Sequence, residues 1–347
     1  MTPRQAVAVL GSVPKEDLGL TLPHEHLILD FGVRYTPAED ESSLGPQPLL
    51  ADRWRLLARP AGYRVNLEGT DLESATYEAT LFQQAGGHTI VDLTGLGLAP
   101  DVSKLKIISQ STGLNVIAGT GFYIAGSLPN WIYEADTSAL ARHLVDDLTF
   151  GGTEGIRRGA IGEVAIETGE EVEFRCLRAA ARAQAETGAP VFLHVMSGLL
   201  PQFRPLTERI ITVYKQEGGN LDKLVLCHQD GSGDDIAYQI GLLERGIRLM
   251  YDTFGSEGVF GFGTTYVQLP TDTQRIVEVS RLVDCGFADM ILVSQDLCYQ
   301  SAKRSWGGWG FTHLIESLRP RFYAAGIEEV MLNRLMTQNP ADVLAFE

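Results

Sequence analysis

The chain has 347 residues, 44% of them hydrophobic, with 28 Lys+Arg against 44 Asp+Glu and a formal net charge of −16. That length buries a large core and suits one α/β domain over residues 1–347 better than two small ones. The acidic balance argues against a nucleic-acid partner, which needs clustered cations, and no window of about 18 apolar residues can span a bilayer.

The four cysteines, Cys176, Cys227, Cys285 and Cys298, form no Cys-x-x-Cys unit. They read as reduced core thiols of a cytoplasmic protein. The first residues lack the cationic start and apolar core of a signal peptide.

In chain order, residues 4–20 predict a small leading hairpin, with Ala6 to Leu10 as one arm and Gly11-Ser12-Val13-Pro14 as the turn. The first main strand runs from Leu20 to His26. It is followed by a polar, Pro- and Gly-punctuated stretch over 30–68 with a short helix at Leu49 to Leu57. An insertion this long costs ordering entropy, so it is expected to cover a site.

From Asp71 a regular alternation begins. Helices near 71–85, 101–112, 138–150, 171–187, 206–217, 234–245 and 273–285 lead into apolar strands. Those strands are Thr89 to Leu93, Asn115 to Gly119, Ala160 to Val164, Pro190 to His194, Lys223 to His228, Ile247 to Asp252 and Met290 to Ser294. With the first, that makes eight short strands, each followed by a helix-sized segment. The pattern predicts a (β/α)₈ TIM barrel with a short N-terminal β-hairpin. No Gly-x-Gly-x-x-Gly follows the first strand, which removes the main argument for a dinucleotide-binding sheet.

In such barrels the chemistry sits at the C-terminal ends of the strands. His24 and His26 lie two residues apart, so an extended backbone sends both imidazoles to one side. Glu163 lies on strand 4, His194 ends strand 5, His228 ends strand 6, and Asp296 follows strand 8. Any one alone reads as a hydrogen-bonded core group or a helix cap. Together, four of the chain's seven histidines and two carboxylates at one barrel mouth point to metal ligation. His88, His143 and His313 fall on helices or their edges and are read as surface or supporting residues, and Glu25 as a bystander facing the barrel's outer layer.

The chain resembles the phosphotriesterase family of the amidohydrolase superfamily over nearly its whole length. The likeness is carried by Thr21-Leu22-Pro23-His24-Glu25-His26, Thr89-Ile90-Val91-Asp92, Asp101-Val102-Ser103, Ala118-Gly119-Thr120-Gly121-Phe122-Tyr123, Phe192-Leu193-His194, Leu226-Cys227-His228-Gln229-Asp230, Ile291-Leu292-Val293-Ser294-Gln295-Asp296 and Gln338-Asn339-Pro340-Ala341. The resemblance implies a binuclear site of two divalent ions, Zn²⁺ first, with Mn²⁺, Co²⁺ or Fe²⁺ as substitutes. His24, His26 and Asp296 would hold the more buried ion, and His194 and His228 the more exposed one. A carboxylate ligand and a hydroxide would bridge them.

The best-known members carry a carboxylated lysine as that bridge, whereas Gly162-Glu163-Val164 offers a glutamate that can bridge directly. This departure, with Gly307-Gly308-Trp309-Gly310-Phe311-Thr312-His313, resembles the phosphotriesterase-homology and resiniferatoxin-binding-protein-related branch. A lysine that relatives often carry four residues after the aspartate is here Gln300.

The implied activity is hydrolysis of a carboxylic ester, lactone or amide, with a phosphotriester as the alternative. Asp296 is the expected proton-transferring residue, and Tyr123, Tyr299, Arg304 and Trp306 are candidates for substrate binding. The implied partners are a small-molecule substrate and a second copy of the chain in a homodimer, with no nucleic acid and no membrane. A non-catalytic small-molecule binding protein on the same barrel would be expected to have lost a ligand, and all six are present. A Schiff-base aldolase fails for want of a lysine at a strand end.

Overall fold

The computed structural model describes residues 4–45, 48–232, 235–262 and 265–347. Eight parallel strands form one sheet: β1 (Thr21–Glu25), β2 (Thr89–Asp92), β3 (Asn115–Thr120), β4 (Ala160–Ile166), β5 (Val191–Val195), β6 (Leu224–Leu226), β7 (Arg248–Tyr251) and β8 (Ile291–Val293). They lie side by side in sequence order, the arrangement short right-handed βαβ crossovers impose. Between β8 and β1 the ring is tied by side-chain chemistry. Ser294 Oγ accepts from His24 N at 3.1 Å, and Asp296 N donates to His24 O at 3.2 Å.

The helices between strands start and stop where local chemistry dictates. Helix α1 (Leu72–Gln84) is capped by Asp71, which accepts from Ser74 N, and α2 (Val102–Thr112) by Asp101, which accepts from Lys104 N. Helix α3 (Thr137–Thr149) precedes β4, and α4 (Glu171–Thr187) ends at Gly188, whose φ of +76° suits glycine. Helices α5 (Arg204–Gln216), α6 (Ile236–Leu243) and α7 (Asp272–Asp284) complete the outer layer before β8. The expected start of the sixth helix at Asp234 lies outside the described residues.

Inside the ring, Val91, Ile117, Phe192, Val225, Met250 and Leu292 come from six different strands and pack with Ala6, Leu18 and Val343. The leading hairpin and the helix Asn339–Leu344 thus plug the N-terminal end of the barrel, leaving the opposite mouth for polar groups. The hairpin differs from expectation in its register. Gln5–Ala8 pairs with Gly11–Pro14, so the turn falls at Val9-Leu10 and the predicted turn is the second arm. Val9 is apolar because it is buried and donates to Val116 O on β3, not because it extends the arm.

The 30–68 insertion forms short turns and one helix, Arg53–Ala58, and its Phe31, Arg34 and Ala61 line the cavity at the barrel mouth. An antiparallel hairpin pairing Val259–Phe262 with Thr265–Gln268 was not expected from the sequence.

Arg275 on α7 is fully buried and ties the loops after β6 and β7 to the start of its own helix. Its guanidinium donates to Asp230 Oδ2 at 2.8 Å, Asp272 Oδ1 at 3.0 Å, Thr253 Oγ1 at 2.7 Å and Ser256 O at 2.7 Å. Removing it strands two buried carboxylates. Arg275→Met should therefore destabilise the protein by roughly 3–5 kcal/mol in denaturant unfolding. A loss below about 1 kcal/mol would mean the network is dispensable.

Candidate metal centre

Six polar side chains converge at the C-terminal mouth of the barrel. On β1 and just beyond it, His24 and His26 present their rings to one side, with centroids 5.5 Å apart. The Nδ1 atoms are engaged from behind, His24 by Asp252 Oδ2 at 2.8 Å and His26 by Thr94 Oγ1 at 2.9 Å. Both Nε2 atoms therefore turn toward Asp296, whose Oδ1 lies 3.1 Å from His26 and 3.7 Å from His24.

Across the mouth, Glu163 Oε1 lies 3.0 Å from His194 Nδ1 and 3.1 Å from His228 Nε2, and those two nitrogens are 2.9 Å apart. Two donor sets result, His24–His26–Asp296 and Glu163–His194–His228, each with its ligand atoms within 4.8 Å of one another. Glu163 Oε1 also approaches His24 Nε2 at 3.7 Å, which links the sets.

All of these groups are buried except Asp296, whose side chain is 18% exposed. Burial pushes the Glu163 carboxyl up, but His194, His228 and His24 outweigh it and hold it well below the usual carboxylate range. Asp296 is likewise lowered, by His24 and His26 against the cost of burial. Burial pulls the His24 imidazole down, yet Asp296, Asp252 and Glu163 together raise it to about 9. Ionised carboxylates thus surround imidazoles that demand positive charge, and a cation can satisfy both.

The donor set fits divalent ions on a direct structural test. His24 Nε2 is buried without a hydrogen-bond partner, an expensive condition for an imidazole nitrogen. For His24 that orphan is the atom aimed at Asp296 and Glu163. Histidine nitrogens with carboxylate oxygens, three per set, are the ligands of open catalytic sites for zinc and similar ions.

Backbone strain marks the same place. His228 and Asp296 adopt φ of +59° and +45°, left-handed values that non-glycine residues rarely take without a local reason.

Two carboxylates that the sequence reading did not assign hold this arrangement. Asp252, at the end of β7, accepts from His228 N at 2.9 Å, and its Oδ1 lies 3.0 Å from His228 Nδ1 while Oδ2 meets His24. It follows its strand as His228 follows β6, so the signal that selected the other ligands was available for it. Glu25 is the larger correction. It is fully buried and accepts from Ser294 Oγ at 2.8 Å, Gln295 N at 2.9 Å and Leu297 N at 3.0 Å. Its side chain points away from the histidines, as alternation predicts, but what lies there is the loop carrying Asp296. Glu25 grips the amides on both sides of that residue.

The cavity above the six residues is walled by Phe31, Arg34, Tyr123, Phe260, Cys298 and Tyr299 among others. Tyr123 and Tyr299 are thus at the cavity. Arg304 and Trp306 are not among its lining residues. Arg304 donates to Trp309 O and Thr312 Oγ1 and pairs with Glu316, while Trp306 packs against the Ala38–Leu56–Tyr63 cluster. Both follow β8 in sequence, but the loop carries them sideways onto the insertion. Arg34 and its partner Glu167 had no sequence signal, since the insertion lacks any periodicity.

If Glu25 fixes Asp296, Glu25→Ala should leave secondary structure intact and weaken divalent-ion affinity by about 10- to 100-fold, as competition with a chromophoric chelator would register. Affinity equal to that of the unsubstituted chain would show that Asp296 needs no such support.

The model of the phosphotriesterase family matches residues 5–344. The phosphotriesterase-related protein of Nematostella vectensis is 31% identical over 100% of both chains. The N-acetyltaurine hydrolase of Bos taurus is 31% identical over 98% of this chain and 97% of its own. Among solved structures, a resiniferatoxin-binding protein from Rhodobacter sphaeroides superposes with a TM-score of 0.92 at 31% identity, covering 99% of this chain and 96% of that one. The chain belongs to the phosphotriesterase family and is a hydrolase of that family.

Proposed function

We propose that this protein hydrolyses a carboxylic amide, ester or lactone at a centre of two divalent ions, Zn²⁺ first, and that an N-acyl amide is its foremost substrate type. The observation that carries the reading is the convergence of two three-atom donor sets around Glu163 at the mouth of the barrel. The amide is ranked first because relatives alike over nearly their full length are N-acetyltaurine hydrolases.

His24, His26 and Asp296 would hold one ion and His194 and His228 the other, with Glu163 between them. Bound there, the ions would supply Lewis acidity that activates water and polarises the scissile carbonyl. The protein's own part is orientation and proton handling. Asp252 fixes the rings of His24 and His228, and Thr94 fixes that of His26, so that each presents a chosen nitrogen. Asp296, partly exposed and kept ionised, accepts the proton of the attacking water and passes it to the leaving group. Glu25 holds Asp296 at the position where that transfer is made. Phe31, Tyr299 and Phe260, whose rings meet at 5.6 Å in two successive edge-on pairs, close one side of the cavity against water.

The test is hydrolysis by the metal-supplemented protein of a panel of N-acyl amino acids, aryl esters, lactones and phosphotriesters. Glu163→Ala and Asp296→Asn should each lower turnover by at least roughly 10²- to 10⁴-fold with an unchanged circular dichroism spectrum. Full turnover by either variant at saturating metal would overturn the assignment. A preference for phosphotriesters would keep the centre and replace the substrate class.

A further inference from the structure

We infer that Arg34 is the residue that selects the substrate, by binding an anionic group, a sulfonate or carboxylate, carried on the non-reacting end of the molecule. This rests on the hydrolase reading above and adds to it the charge of the substrate.

Among the described residues that line the cavity, Arg34 is the only lysine or arginine. The wall's carboxylates, Glu163 and Asp296, and its imidazoles, His26, His194 and His228, belong to the donor sets, so among the described wall residues Arg34 is the one cation outside them. Its guanidinium is held in one plane from behind. Nη1 and Nη2 donate to the two oxygens of Glu167 at 3.0 and 2.7 Å, and Nη2 and Nε donate to Tyr123 Oη at 2.8 and 3.3 Å.

Glu167 is not among the residues lining the cavity, whereas Arg34 and Tyr123 are. Arg34, ion-paired with that carboxylate, is thus the member of the couple that contributes to the cavity wall. The rings of Tyr123 and Phe31 flank it at 5.3 and 6.0 Å. Such a fixed, flanked guanidinium loses little freedom on meeting a planar or tetrahedral oxyanion.

The spacing to the chemistry is short. Tyr123 contacts Arg34 through its hydroxyl and His194 through its ring, with centroids 5.5 Å apart, and Glu167 Oε2 lies 3.9 Å from His194 Nε2. Arg34 is thus one side chain away from a candidate metal ligand. A molecule with its acyl carbon over the centre reaches Arg34 with a small spacer. Arg34 also belongs to the 30–68 insertion, which gives that segment a chemical purpose: it brings the cation to the mouth of a barrel whose strand ends supply none.

The experiment compares N-acetyltaurine and N-acetyl-β-alanine with the neutral N-acetylethanolamine, using metal-supplemented wild type, Arg34→Met and Arg34→Lys. Wild type should prefer the two anions, and Arg34→Met should reduce the ratio of anionic to neutral kcat/KM by about tenfold to a hundredfold, chiefly through KM. Arg34→Lys should keep part of the preference.

Calorimetric binding of a non-hydrolysable propanesulfonate to wild type and Arg34→Met gives a readout independent of turnover, and the variant should bind it at least tenfold more weakly. An equal loss on all three amides, or unaltered sulfonate binding, overturns the inference, as does a wild type that cleaves the neutral amide equally well. Failure of metal-supplemented wild type to cleave any amide, ester or lactone is a different result and removes the hydrolase assignment beneath it.

Discussion

The bridging of two imidazoles by the buried Asp252 carboxylate is the interaction on which the rest of the site depends. A carboxylate with no solvent exposure is costly unless its lone pairs are met. Here they are met by His24 from β1 and by both the ring and the amide of His228 beyond β6. Burial pushes the Asp252 carboxyl up, but the two histidines hold it well below its ordinary range, so it remains a fixed negative charge. That charge decides which nitrogen of each histidine faces the centre. It also joins residues from three parts of the barrel, so the geometry of the candidate ligands is fixed by the barrel itself.

A second carboxylate repeats the logic one layer out. Glu25 is buried beneath the β8 loop and accepts from the amides that flank Asp296. Burial raises it to about 7 even with those hydrogen bonds, which shows how much of its solvation the fold has removed. Beyond it, Arg275 joins Asp230, Thr253 and Asp272, so the loops after β6 and β7 are cross-linked through one guanidinium. The site is thus held by nested polar networks in which each buried charge has a partner. This matches the low tolerance for misplacement in catalytic centres, where small shifts of a ligand cost much of the rate.

The fold was legible because its signal is repetitive. Eight apolar runs separated by helix-length segments leave few topologies once crossover handedness is imposed. The six candidate ligands were legible for a related reason, since each interrupts or closes an apolar run with an ionisable group. Glu25 was misread because alternation gives the direction of a side chain but not what packs there. In a closed barrel the outward face of β1 meets the folded-over β8 loop instead of solvent. The course of the loop carrying Arg304 and Trp306 was not legible, because a loop's path cannot be read from its distance to a strand end. Arg34, Tyr123 and Glu167 meet only in three dimensions, across separations of 89 and 133 residues.

Six convergent side chains are proposed to hold two divalent ions that the hydrolysis requires. Titrating chelator-stripped protein with Zn²⁺, while counting bound ions and following cleavage of an N-acyl amide, tests it most directly. Activity should return as the second of two ions per chain is bound. Undiminished hydrolysis by protein shown to carry no metal, or saturation without any ion bound at these residues, would contradict it.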